Sequence, residues 1–302
     1  MKLTSLAQRK ASHVIVYGDP KTGKSTLVSR LAMEGHPLLW ISVDNGHEVL
    51  FKLPADAQEN INILVLPDTK DFPIALDTCL KLVSGAELSI CNLHGQVSCS
   101  HCKKNNPEGF ETVCLSTLPQ NTIVVFDHIS QIADSAMNFI LKGKEDTYKP
   151  EWEHYRIQGT LMNKFLTNIQ QAKYNVVCVA HVTETEMEDG SKKLVPQIGT
   201  TSFSRNAGKY FDHMVYCHVM NKSHRFGSAT TYQTSVITGS RKDIAIEDDK
   251  EHPSLAAFFS EGEQIAAKQV ETTTVKEVVA KPVVTSATDA AKARLAAMKG
   301  SK

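Results

Sequence analysis

One short run constrains this chain more than any other: Gly18-Asp19-Pro20-Lys21-Thr22-Gly23-Lys24-Ser25-Thr26. Val14, Ile15, Val16 and Tyr17 lead straight into it and read as a buried strand, while Leu27, Val28 and Leu31 follow at helical spacing. Strand, G-x-x-x-x-G-K-S, helix is the phosphate-binding loop in its confirming context. Gly18 and Gly23 let the backbone curl so that its N–H groups meet phosphate oxygens at the positive end of a helix. Lys24 sets a point charge between the β- and γ-phosphates, and the Ser25 hydroxyl is the expected Mg²⁺ ligand. The run implies nucleoside triphosphate binding.

The other strands read in order. Residues 37–43 form a second apolar run, ending at Asp44-Asn45-Gly46, and 61–66 a third, stopped by Pro67-Asp68. Residues 73–83 are helical in spacing, 122–127 return to strand and close on Asp127, and 151–172 carry Trp152, Tyr155, Leu161, Phe165 and Ile169 near helical spacing. Residues 175–180 form another buried strand, ending in His181. Residues 183–209 read as a long loop, and 214–219 with 231–237 as an antiparallel edge. Strands separated by helices predict an α/β fold with a mostly parallel sheet. Ligands of such sheets lie at the carboxyl ends of the strands, so Asp44, Asp127 and His181 should converge on the nucleotide. Asp127 is the Walker B type aspartate, holding Mg²⁺ through water; His128 beside it reads as structural.

Composition adds boundaries. The 302 residues carry no net charge, which by itself points to neither nucleic acid nor membrane. No apolar run reaches a membrane span, and residues 1–12 lack the apolar stretch of a secretory signal. Seven unevenly spaced cysteines fit a reducing cytoplasm better than a disulfide framework. From about Glu261 large core residues vanish, so 1–260 is expected as one ATPase domain and 261–302 as a disordered tail with a short helix over 286–298.

Taken together, the P-loop strand, a second strand ending in an acidic residue, a Walker B strand and a strand ending in a polar sensor resemble the RecA-like ATPase core. The Gly18–Leu27 run, Val179-Ala180-His181-Val182-Thr183-Glu184 and the loose tail are most similar to the phage-encoded truncated RecA-like ATPases, over roughly residues 12–245. That resemblance implies Mg²⁺-dependent, DNA-stimulated ATP hydrolysis in recombination and single-strand annealing. It also implies single-stranded DNA, further copies of the chain and a single-strand-binding protein as partners, in the host cytoplasm. Helicase loading, DNA packaging, or nucleotide-gated binding with negligible turnover are the alternatives. The family's catalytic glutamate maps to Asp44, one methylene shorter, with Glu48 as a substitute, and its γ-phosphate sensor to His181. Its DNA-contacting loops map to 134–150, with Lys142, Lys144, Tyr148 and Lys149, and to 183–209, with Lys192, Lys193, Phe203, Arg205 and Lys209. Arg241 and Lys242 occupy the place of residues that reach a neighbouring subunit's nucleotide.

Residues 85–118 break the pattern. Cys91, Cys99, Cys102 and Cys114 are spaced C-x7-C-x2-C-x11-C, with His94 and His101 nearby. Cys99 and Cys102 make a chelating turn, and four thiolates, or three plus His94, would close a tetrahedral Zn²⁺ site.

Overall fold

The structure, a computed structural model, describes residues 11–66, 68–94, 96–97, 99–228, 233–241 and 253–259. The tail expected over 261–302, its terminal helix and Lys242 lie outside these residues.

Strand β1 (His13–Gly18) is buried along its whole length, as a strand covered on both faces must be. Its alternate side chains serve two cores. Ile15 and Tyr17 pack on one face with Ile41, Val124, Phe126, Phe165 and Ile169; Val14 and Val16 pack on the other with Leu27, Leu31, Trp40, Val125 and Val179. Full burial of each such side chain contributes about 1.5–3 kcal/mol. Helices α3 (Ala75–Val83), α5 (Ile129–Ile140) and α6 (Trp152–Gln171) cover the first face. On the second lie α1 (Lys24–Met33), the short α2 (Ala55–Gln58) and residues 255–259.

Around β1 the sheet includes β2 (Leu38–Ser42), β3 (Ile61–Val65), β6 (Ile123–Asp127), β7 (Asn175–Glu186), β9 (His213–Met220) and β10 (Ser223–Gly227). Their spatial order is β10-β9-β1-β7-β6-β2-β3. All neighbours from β9 to β3 are parallel, so the expected α/β class with a mostly parallel sheet is borne out. The register matters for function. Gly18 stands beside His181 and Cys217, and Ser42 beside Asp127, so the carboxyl ends of β1, β7, β6 and β2 lie along one edge.

Three expectations are corrected. Residues 183–209 are no loop: β7 continues to Glu186 and pairs antiparallel with β8 (Lys192–Pro196), followed by α7 (Thr201–Arg205). The turn is made by Glu188-Asp189-Gly190, with Gly190 at φ 76°, and Glu184 meets Lys192 diagonally across the two strands at 2.9 Å; opposite charges at such neighbouring positions support the pairing. Strand β9 is an interior parallel strand, because the polar groups that alternate in it are accommodated inside, as His213 Nδ1 is by Ser240 Oγ at 2.7 Å. Of the expected strand over 231–237, residues 233–237 contain only turn and a bridge from Val236 to Leu194; β10 and β11 (Gly239–Ser240) supply the antiparallel pairing instead. Finally, α5 runs through the first part of 134–150 to Ile140, burying Ser135 and Ala136 and leaving Phe139 exposed.

The insert forms a separate two-stranded sheet, β4 (Leu88–Cys91) against β5 (Phe110–Val113), with α4 (Ser100–Asn105) between them. Among the described residues no helix is long and apolar enough to cross a membrane.

A candidate nucleotide site and a cysteine cluster

The loop between β1 and α1 leaves the helix start open to an anion. Gly23 is the N-cap at φ 87°, no side chain caps the helix, and its first turn holds no acidic residue. A β-carbon at this φ would be strained, and an uncapped N-terminus leaves backbone N–H groups for phosphate. Lys24 is buried, its ammonium donating to Gly18 O at 3.0 Å and Asp19 O at 2.6 Å. Burial pulls its pKa down, a cost that an anionic ligand would relieve. Thr22 Oγ donates to Asp19 O at 2.8 Å, while Asp19, Pro20, Lys21 and Thr26 are exposed.

Asp127, at the end of β6, accepts a hydrogen bond from Ser25 Oγ at 3.2 Å. Among the described residues its buried Oδ2 has no hydrogen-bond partner. Burial pushes the carboxyl up to about 6, with His128 acting against that and the Asp44 charge adding to it. An ionised, buried, unpartnered oxygen beside a hydroxyl suits a divalent cation, so Ser25 and Asp127 fit Mg²⁺.

Asp44 caps the 3-10 segment Asn45–Lys52 and spends both oxygens: Oδ1 accepts from Gly46 N–H at 2.7 Å, and Oδ2 pairs with His128 Nδ1. A Cβ on Gly46 would stand 2.8 Å from both Asp44 Oδ1 and Asp127 Oδ2, so any larger residue would press on the two carboxylates and shift them. Ligand atoms of Asp44, Asp127 and His128 lie within 4.8 Å of one another. Burial opposes charge on Asp44 and on His128, but their hydrogen bond wins, holding the carboxyl below and the imidazole above their ordinary values. The proton therefore stays on His128.

His128 is more than structural filler. It sits at φ 63° between β6 and α5, and its ring stacks on His181 at 4.9 Å and 15°. His181 N–H donates to Ser130 Oγ at 2.9 Å, and burial, then the His128 and Lys24 charges, lower its pKa. The sequence signal for His128 was its place directly after the Walker B residue. Glu48, the alternative to Asp44, is exposed and outside this cluster.

Other site candidates are not brought to the P-loop. Arg241 lies at the amino end of β1 and β9, roughly 17 Å of strand from Gly18. There its N–H donates to Asp212 O at 2.8 Å, and its guanidinium donates to Lys209 O at 3.0 Å and approaches Asp212 Oδ1 at 3.5 Å. Of the basic residues expected to face DNA, Lys192 pairs with Glu184, while Lys193 and Arg205 donate to the carbonyls of Thr234 and Glu186. Phe203 packs on the core. What does assemble is a groove of about 750 Å³ between the start of α6 and α7, lined by Trp152, Tyr155, Arg156, Phe203 and Lys209 among others. Trp152 is 76% and Tyr155 43% exposed. Both belong to the helical apolar pattern of 151–172, but helical spacing alone does not say which turns outrun the neighbouring layer.

In the insert, Cys91, His94, Cys99 and Cys102 bring one ligand atom each within 4.8 Å of the others. Cys114 lies apart, its sulfur 3.1 Å from Ser116 Oγ and donating to Gly85 O at 3.5 Å. Of the two expected sets, the one the structure brings together is three thiols plus His94: Cys114 follows β5, past the tip where the others meet. The pattern C-x2-H-x4-C-x2-C carried this signal. Cys79, Cys178 and Cys217 are buried and free, as expected of core residues.

A family model described as an AAA domain matches residues 10–243, and the chain belongs to that family. No curated protein matches it in sequence. Among solved structures it is similar to the RadB recombinase, at 12% identity and TM-score 0.38, covering 80% of this chain and 83% of that one. It is similar to a second solved structure, described as an ATPase domain, at 9% identity and TM-score 0.38, over 79% and 80%. Flagellar accessory protein FlaH from Methanocaldococcus jannaschii is similar at 13% identity and TM-score 0.35, over 81% and 87%.

Proposed function

We propose that this member of the AAA domain family is a RecA-like, Mg²⁺-dependent ATPase acting on single-stranded DNA in phage recombination and strand annealing. The observation that carries the reading is the convergence of Lys24, Ser25, Asp44, Asp127, His128 and His181 at the carboxyl edge of one parallel sheet. Mg²⁺, when bound, neutralises charge on the β- and γ-phosphate oxygens, and Ser25 with Asp127 would hold it. The chain's own residues supply the rest. The backbone and Lys24 bind and orient the phosphates. Asp44, kept ionised because His128 holds the proton, accepts a proton from the attacking water, and His181 donates to the terminal phosphate. Zinc belongs to the insert, away from this chemistry.

The aromatic and basic groove at Trp152, Tyr155, Arg156 and Lys209 supports the DNA half of the reading, since stacked bases need exposed rings and phosphates need cations. Further copies of the chain and a single-strand-binding protein complete the partners, with Arg241 and Lys242 acting between copies in the host cytoplasm. The test is steady-state phosphate release from ATP with and without a single-stranded oligonucleotide. Stimulation that falls steeply with salt is expected; a rate indifferent to DNA would remove that half of the proposal. A second reading, nucleotide-gated binding with little turnover, is favoured by one observation: both Asp44 oxygens already have partners.

A further inference from the structure

We propose that the insert is a closed, structural zinc site whose ligands are Cys91 Sγ, His94 Nδ1, Cys99 Sγ and Cys102 Sγ, with Cys114 excluded. The geometry points there first. His94 Nδ1 stands 3.2 Å from Cys102 Sγ, 3.6 Å from Cys99 Sγ and 3.8 Å from Cys91 Sγ. A tetrahedron with Zn–S of about 2.3 Å and Zn–N of about 2.1 Å has N–S edges of about 3.6 Å, close to these three distances, and all four donor atoms lie within 4.8 Å of one another.

The chemistry agrees. Three thiolates packed this closely repel one another, and a divalent cation removes the conflict. Soft thiolates with one imidazole in tetrahedral array select zinc over magnesium or calcium. With four protein ligands no position remains for water, which makes the site structural rather than catalytic.

The insert's strands rest on the main core through Leu88, Ile90 and Leu115, but the cluster at its tip stands apart from that core. The three thiols are buried together with Phe110 as their apolar neighbour, and a unit this small needs a staple to offset its ordering entropy. Zinc here is independent of the ATPase reading.

The experiment uses the full chain, purified without chelators. Elemental analysis should find about one zinc per chain. Exchange with Co²⁺ should give the visible d–d bands of a tetrahedral site and a thiolate-to-metal charge-transfer band. Cys114→Ser should keep the metal in full, and Cys102→Ser should lose it. Binding of a fluorescent ATP analogue, measured in the same samples, should change less than twofold. Wild-type protein taking up neither zinc nor cobalt while still binding the analogue would overturn the zinc site alone. Loss of metal in Cys114→Ser would overturn the ligand set. The wild-type cobalt spectrum decides even if Cys102→Ser fails to fold.

Discussion

The nucleotide site and the cysteine cluster are both small groups of polar side chains, but they are held in place by different means. At the first, each residue ends or follows a strand of a sheet packed on both faces, and the register of β1, β7, β6 and β2 sets their alignment. At the second, four donors gather at one end of a two-stranded sheet whose Leu88 and Ile90 rest on the core, with Phe110 as the apolar neighbour of the thiols. One site is a product of the core; the other must make its own. Damage should therefore spread differently, within the core site by chemistry and within the insert by unfolding.

The largest separation is expected from Lys24→Ala. Turnover should fall by about 10²–10³, as for loss of a main transition-state donor, while zinc content of the insert stays at the wild-type value; phosphate release and elemental analysis on one preparation check both. Asp127→Asn should cut turnover yet strengthen the apo fold. Asp127 has its folded pKa raised to about 6 against about 3.9 unfolded. Its ionisation therefore weakens the fold progressively from about pH 4 to about pH 6 and fully above that. The asparagine variant escapes this, by about 3 kcal/mol at most, in urea unfolding at pH 7 without Mg²⁺; equal stabilities at pH 7 would show that the carboxyl is not penalised.

Gly46→Ala should slow turnover about tenfold with the melting temperature little changed, because a new methyl must displace the segment from two carboxylates by only a fraction of an ångström. The smallest effect is the sharpest for the comparison. Removing zinc with a chelator and then removing the chelator should loosen the insert to proteolysis while shifting ATP affinity by less than twofold.

How much of this was legible beforehand follows the same division. Strand and helix runs around the P-loop announced themselves because parallel strands buried on both faces read as unbroken apolar runs; Asp127 followed from its place at the end of one. What a linear reading did not carry was side-chain pairing across elements. The Asp44–His128 contact joins residues far apart in sequence, and the stacking of His128 on His181 depends on a positive φ at a non-glycine residue. Residues 183–209 misled because short alternating strands with charged ends resemble a polar loop until Glu186 is seen opposite Lys192 and Glu184 opposite Leu194. Arg241 was placed by resemblance, and its contacts to Asp212 and Lys209 at the amino end of the sheet are likewise pairings that a linear reading does not carry.

The central claim is that the carboxyl edge of the sheet is a preassembled Mg²⁺–ATP site that does not depend on the insert. Calorimetric titration of ATP with Mg²⁺ into the full chain, zinc-loaded and zinc-stripped, tests it most directly. The account predicts one nucleotide per chain in both states, with affinities within a factor of about two, consistent with sites that share no residue. No saturable binding in either state, or binding only when zinc is present, would contradict it.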